Sequence, residues 1–242
     1  MLTKNQIKYI TQFKQKKFRD THQVFVAEGF KVIHELLQAN ISVVQIYTTK
    51  QLQFNVLKEF VTEITDSELK KISFLTTPNE CLAVFKMKTV QPPAKNSLKV
   101  ALSDVRDPGN LGTIIRLCDW FGVTDLICSN DTVDVYNPKV VQATMGSLTR
   151  VNVFYTNLAD YLKNTNEPVF GTFMNGDNIY KTNLPNNGII VMGNEANGIL
   201  PEIETLVTQR ISIPRFGNLQ QTESLNVATA TAVILSEFKR NE

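Results

Sequence analysis

The chain has 242 residues, of which 43% are hydrophobic and 20% charged, with a formal net charge of +2. This is room for one large or two modest domains, and it is the composition of a soluble globular protein. No apolar run approaches the roughly 20 residues of a membrane span, no secretory signal is recognisable, and three scattered cysteines with two histidines exclude a disulfide frame and a histidine-built metal centre.

In chain order, a basic helix is expected at about 3–17, a strand at 23–27, a helix at 30–38, a strand at 42–47 and an apolar strand near 82–85. Together they read as a small α/β domain. Pro92-Pro93, extended and stiff among polar neighbours, marks a linker. We set the first domain at 1–92, the linker at 93–98 and the second domain at 99–242. Apolar strands at 99–103, 125–128, 151–154, 169–172, 188–192 and 210–213 then alternate with helical patterns. Such alternation predicts a parallel sheet with helices on both faces. The last helix is expected over 224–240.

Charge is unevenly divided. Residues 1–97 carry 14 Lys/Arg against 8 Asp/Glu, a balance of +6, and residues 98–242 carry 11 against 15, a balance of −4. The first 19 residues include Lys14, Lys16, Lys17 and Arg19 and no acid. On charge alone this stretch is either a solvated face or an arm that binds RNA by displacing counterions from its phosphates. Cys81, Cys118 and Cys128 sit in apolar contexts and read as buried thiols of a reducing compartment, which points to the cytoplasm.

Three segments of the second domain carry chemistry. In the first, a strand enters Asp107-Pro-Gly-Asn110-Leu-Gly and a helix then carries Arg116. Pro108 and the glycines allow a sharp turn and close backbone approach. An amide and a planar guanidinium beside that turn suit a polyanion with a neighbouring hydroxyl. In the second, the strand 188–192 opens into Gly193-Asn-Glu195-Ala-Asn-Gly198. Loops at the carboxyl ends of parallel strands are where open α/β sheets bind ligands. The segment holds neither the dinucleotide nor the P-loop glycine fingerprint, which counts against a nucleotide-dependent enzyme. Glu195 also fits a plain helix N-terminal acid. In the third, a strand ends at Ile213-Pro214, a loop follows, and Ser224-Leu225-Asn226 open the last helix. Ser224 alone reads as an N-cap. Asn226, at the third helical position, is a poor interior helix residue that competes for backbone groups.

The order, spacing and strand-loop-helix settings of these segments resemble the SpoU (TrmH-like) RNA ribose 2′-O-methyltransferases of the SPOUT superfamily. The resemblance covers about 98–240, and Phe25-Val-Ala-Glu-Gly29 resembles the small substrate-binding domain that precedes many members. It implies an α/β fold whose parallel-sheet catalytic domain ends in a deep trefoil knot, which sequence physics alone would not propose. It implies S-adenosylmethionine held in that knot by Thr172, Gly193, Ile213 and Leu225, and no metal. It implies a polar catalytic group of Asn110, Arg116, Glu195, Ser224 and Asn226. It further implies rRNA or tRNA as substrate and a homodimer with the last helix against its partner. A guanidinium, with its pKa above about 12, is a poor base. We therefore read Arg116 as gripping a phosphate and stabilising alkoxide charge, Glu195 as holding Arg116 or Asn110, and Ser224 and Asn226 as bonding the ribose. Two features depart from the family: a longer loop at Arg215–Glu223 and a bulky Trp120. The alternative is a catalytically silent RNA-binding or ribosome-assembly protein of the same fold.

Overall fold

The computed structural model describes residues 1–50, 54, 56–217 and 224–240. They form two compact units, Met1–Thr89 with Asp134–Thr149, and Val90–Val133 with Arg150–Glu242.

In the first unit, α1 (Lys4–Thr11) opens on a capping box: Thr3 Oγ1 accepts from the Gln6 backbone and Gln6 Oε1 accepts from the Thr3 backbone. The single helix expected over 3–17 is broken. A 3-10 turn covers Gln12–Lys14, Gln15 is extended, and α2 runs over Lys16–His22. The cause is Arg19. Its Nη1 donates to the carbonyls of Phe13 at 2.8 Å and Lys14 at 3.0 Å, and its Nη2 pairs with Asp134. Arg19 is 1% exposed. It holds this unit together and offers no surface to RNA, which corrects its place in the basic arm; Lys14, Lys16 and Lys17 are exposed.

β1 (Val24–Glu28), α3 (Phe30–Gln38), β2 (Val43–Thr48), β3 (Val61–Glu63), α4 (Asp66–Ile72) and β4 (Cys81–Lys86) follow, with sheet order β1-β4-β2-β3. Ile10, Phe13, Val24, Val26, Leu69, Ile72 and Leu82 share one core. At the end of β1, the buried Glu28 carboxylate accepts from Ser73 Oγ at 2.5 Å and Phe74 N at 2.8 Å. Burial pushes its pKa up, against those two hydrogen bonds. Gly29, at φ +84°, precedes α3 where an L side chain is strained.

In the second unit, β5 (Leu98–Leu102), α5 (Pro108–Trp120) and β6 (Asp125–Ser129) come first. The chain then returns to the first unit for α6 (Pro138–Thr144), which packs on β1. Tyr136 explains that excursion. Its ring lies 4.7 Å from Phe25, its hydroxyl accepts from Lys88 N, and Lys88 Nζ donates to Thr149 O at 2.7 Å. Residues 134–149, expected within the 99–242 segment, pack with the first unit. The 93–98 stretch belongs to the second unit, where Ala94 N donates to Asp125 and Asn96 N to Glu167.

The chain then supplies β7 (Asn152–Thr156), α7 (Leu158–Lys163), β8 (Val169–Asn178), β9 (Gly188–Met192), α8 (Pro201–Glu204), β10 (Gln209–Ser212) and α9 (Val227–Phe238). The sheet order is β10-β8-β9-β5-β6-β7, and each pairing is parallel. β5 is buried along its whole length, including Lys99, whose ammonium bonds Glu167 at 2.6 Å and Ser97 O at 3.1 Å. The chain runs from β5 outward to β7 and then occupies the other side. β5 and β9 therefore flank the topological switch point, the usual ligand crevice of such a sheet. α9 packs against α5, and Val227, Ala228, Thr231, Ile234, Leu235 and Phe238 are buried within this unit. Trp120, at the end of α5, is 84% exposed. No helix among the described residues is long and apolar enough to cross a membrane.

Candidate active site

The loop after β5 begins with Ser103, whose N–H donates to Met192 O at the end of β9. Its hydroxyl is buried and has no partner among the described residues. Asp104 takes the left-handed conformation at φ 62°; its carboxylate accepts from Arg106 Nε at 2.8 Å, and its carbonyl accepts from Asn194 Nδ2 at 2.6 Å. Asp107 then caps α5 by accepting from Asn110 N at 2.8 Å, with Pro108 at the first helical position. A Cβ on Gly109 would lie 3.0 Å from the capping oxygen. Asp-Pro-Gly-Asn is a tight N-cap that sets Asn110 at the carboxyl edge of the sheet.

The loop after β9 approaches from the other side. A Cβ on Gly193 would fall 2.3 Å from the Gly198 carbonyl carbon and 2.5 Å from Ile199 N. Only glycine fits this backbone-on-backbone contact. Asn194 and Gly198 close the loop with two mutual hydrogen bonds of 2.9 Å, while Asn194 Oδ1 accepts from Ala196 N at 2.8 Å. Glu195 sits at the exposed tip of this turn, well before α8 begins at Pro201, so it is not a helix N-terminal acid.

Three side chains from these loops and from the start of α9 join in one row. Asn226 is the N-cap of α9, not its third residue: its Oδ1 accepts from Ala228 N at 3.0 Å and Thr229 N at 3.2 Å. Its Nδ2 donates to Asn110 Oδ1 at 2.9 Å, and Asn110 Nδ2 donates to Glu195 Oε1. The direction of the row is fixed at both ends. Backbone N–H groups only donate, and a carboxylate only accepts, so both amides have one possible orientation. The dipoles point the same way and strengthen each other.

Arg116 and Ser224 stand outside this row. Arg116 follows Asn110 by six residues, about 1.7 turns, which swings it roughly 120° around the helix. It is exposed and makes no hydrogen bond or ion pair among the described residues. Glu195 therefore holds Asn110 rather than Arg116. Ser224 is exposed and precedes the helix without capping it. Of the positions expected to line a cofactor pocket, Thr172 Oγ1 donates to Val191 O at 2.9 Å, Ile213 is half-buried and Leu225 exposed. Part of the longer loop, residues 218–223, lies outside the described residues.

A profile of the SpoU rRNA Methylase family matches residues 97–236, and one of the MRM3-like substrate binding domain matches residues 4–83. The chain belongs to the SpoU family. It is 28% identical over 232 residues to the 23S rRNA (guanosine(2553)-2'-O)-methyltransferase RlmP of Bacillus subtilis, covering 93% of this chain and 92% of that one. A putative RNA methyltransferase of the TrmH family from Porphyromonas gingivalis superposes with a TM-score of 0.88 at 36% identity, over 100% of both chains. An AdoMet-bound rRNA methyltransferase from Sinorhizobium meliloti gives 0.86 at 27% identity, over 100% of this chain and 96% of that one. Other curated relatives are longer: the chain spans 59% of one and 38% of another.

The position and chemistry of the crevice fit the cofactor of such a family. The unpartnered Ser103 hydroxyl and the backbone of the Gly193–Gly198 turn are polar groups at the switch point, and the buried Ile199 follows that turn. No group of three or more His, Cys, Asp or Glu among the described residues is arranged to hold a metal ion. Cys118 and Cys128 are free and buried; burial pushes Cys118 up to about 12 and Cys128 higher still, so neither is a nucleophile. Sequence reasoning missed Asn194, which ties the two loops together. Its signal was an Asn within a glycine-bounded turn.

Proposed function

We propose that this SpoU-family chain transfers a methyl group from S-adenosylmethionine to a ribose 2′-hydroxyl in RNA. Ribosomal RNA is the favoured substrate, because the Bacillus subtilis relative is named for it. The observation that carries the proposal is the directed row Asn226–Asn110–Glu195 at the switch point. S-adenosylmethionine, when bound, supplies an activated sulfonium methyl, so the protein has only to position and polarise.

Asn110 keeps one amide hydrogen and part of its carbonyl oxygen for a hydroxyl, and Glu195 fixes its orientation. Glu195 retains one carboxylate oxygen that can accept the hydroxyl proton, directly or through a water. Arg116, unpaired among the described residues and turned away from the row, is available to grip the phosphate next to the target ribose. Ser224, Leu225, Thr172, Gly193 and Ile213 are assigned to ribose and cofactor. In the first unit, Lys14, Lys16 and Lys17 are assigned to RNA phosphates. Knotting of the chain end, a homodimer with the last helix and α5 at its contact, and a cytoplasmic setting for the three free thiols complete the reading. Calorimetry tests it: S-adenosylmethionine and S-adenosylhomocysteine should bind, and NAD and ATP should not. Tight NAD binding would overturn the proposal.

A further inference from the structure

Tyr180 and Phe216, two aromatic residues of the second unit, take no part in the chemistry above. Carried by two different loops, they stack with ring centroids 6.3 Å apart and 29° between planes. Phe216 is nonetheless 81% exposed and Tyr180 39%. Single exposed apolar side chains are ordinary. Two rings stacked on each other and this exposed form an aromatic surface in water.

Their place in the fold is specific. Tyr180 lies in the 3-10 turn Ile179–Lys181, which follows β8 and packs against α9. Phe216 lies four residues beyond β10. Asn178 and Ser212, the last residues of those parallel strands, are paired in register. Both rings therefore leave the sheet at its carboxyl edge, the edge at which β5 and β9 deliver Asn110 and Glu195. Ile179, buried, anchors the turn that carries Tyr180. A cation adjoins each ring in sequence: Lys181 after Tyr180 and Arg215 before Phe216. An exposed aromatic face on a segment that also carries Lys181 suits a base attached to phosphates. It suits neither an apolar protein segment nor S-adenosylmethionine, which carries no phosphate.

We infer that the outer face of the Tyr180–Phe216 pair is a stacking platform for a nucleobase of the RNA substrate near the methylated ribose. The inference rests on the methyl-transfer reading. The two residues are positioning residues: they hold the RNA, and they touch none of the reacting atoms. Because every base has a π-face, the platform tolerates any base and contributes register more than sequence choice.

The test uses the full chain with Phe216→Ala, Tyr180→Ala and Phe216→Trp. The probes are unmodified ribosomal RNA transcribed in vitro, and a single-stranded RNA of about 12 nucleotides carrying 2-aminopurine, whose fluorescence falls on stacking. Each alanine variant should raise KM for RNA about tenfold with little change in kcat, and should lose the quench. Phe216→Trp should keep both near wild-type values. Affinity for S-adenosylmethionine, thermal midpoint and solution mass should stay at wild-type values. Unchanged RNA KM and quench in both alanine variants would overturn the inference. So would a change in cofactor affinity, meaning that the rings serve adenine, or a loss of dimer, meaning that they seat a second copy. A wild-type chain that quenches the probe yet methylates no RNA would remove the functional reading and leave the platform standing.

Discussion

Asn226 makes two separable contributions through two atoms of one amide. Its Oδ1 caps α9 and its Nδ2 orients Asn110. Asn226→Ala removes both. An N-cap of this kind contributes about 1 kcal/mol, which in a domain of this size lowers the thermal midpoint by about 2–4 °C. In Asn226→Asp the cap survives, since aspartate caps as well as asparagine and its charge favours the helix N-terminus. The carboxylate cannot donate to Asn110 Oδ1, and it sets a second negative group beside the one that holds Asn110. Losing that bond and adding repulsion should lower kcat/KM about tenfold or more at an unchanged midpoint. The assay is thermal denaturation alongside transfer of labelled methyl to RNA. Full activity in Asn226→Asp, or an unshifted midpoint in Asn226→Ala, would refute the division of labour. Pairing Asn226→Ala with Asn110→Ala should give a loss in kcat/KM smaller than the sum of the single losses, because the two act as one row.

Arg116→Ala and Arg116→Lys should both lose most methyl transfer while binding S-adenosylmethionine normally, because a point charge does not reproduce the planar fork; near-normal turnover in Arg116→Lys, measured by the same assay, argues against a bidentate grip on phosphate. Neutralising Lys14, Lys16 and Lys17 together should weaken RNA binding and reduce the salt slope by up to about 0.9 for each phosphate the variant no longer neutralises, read by filter binding across salt; identical slopes mean a solvated face. Backbone N–H groups of Thr65 and Leu2 hold the Glu68 carboxyl at about 2, below its ordinary value, so the stability it supplies is present above about pH 4.3 and is lost as pH falls toward 2. Denaturation midpoints against pH should therefore fall less steeply in that window for Glu68→Gln than for wild type.

β5, β6 and β9 were legible because the interior strands of a parallel sheet are short, buried apolar runs, whereas β8 runs on into Asn175-Gly-Asp-Asn178 and β10 is Gln-Arg-Ile-Ser. The segment 188–192 was read to the residue. The Asp107-Pro-Gly-Asn110 cap was equally readable, since cap chemistry is local. What escaped was decided at a distance. The break at Gln15 depends on Arg19 turning inward to Asp134, more than a hundred residues away in the chain, and charge counting assigned that arginine to the surface. The return of 134–149 to the first unit depends on Tyr136 against Phe25, a pairing that no local pattern encodes. The site was half legible. Asn110, Glu195 and Asn226 were named together, but the row they form, and its exclusion of Arg116, follow from helix phase and from the start of α9 three residues later than expected.

The most direct test of the central claim is to map ribose 2′-O-methyl groups in total RNA from cells with and without this chain, restoring it as wild type or as Asn110→Ala. The account predicts one methylated ribose or a small set, in ribosomal RNA, that disappears without the chain and returns only with the wild type. An unchanged map, or full restoration by Asn110→Ala, would contradict it.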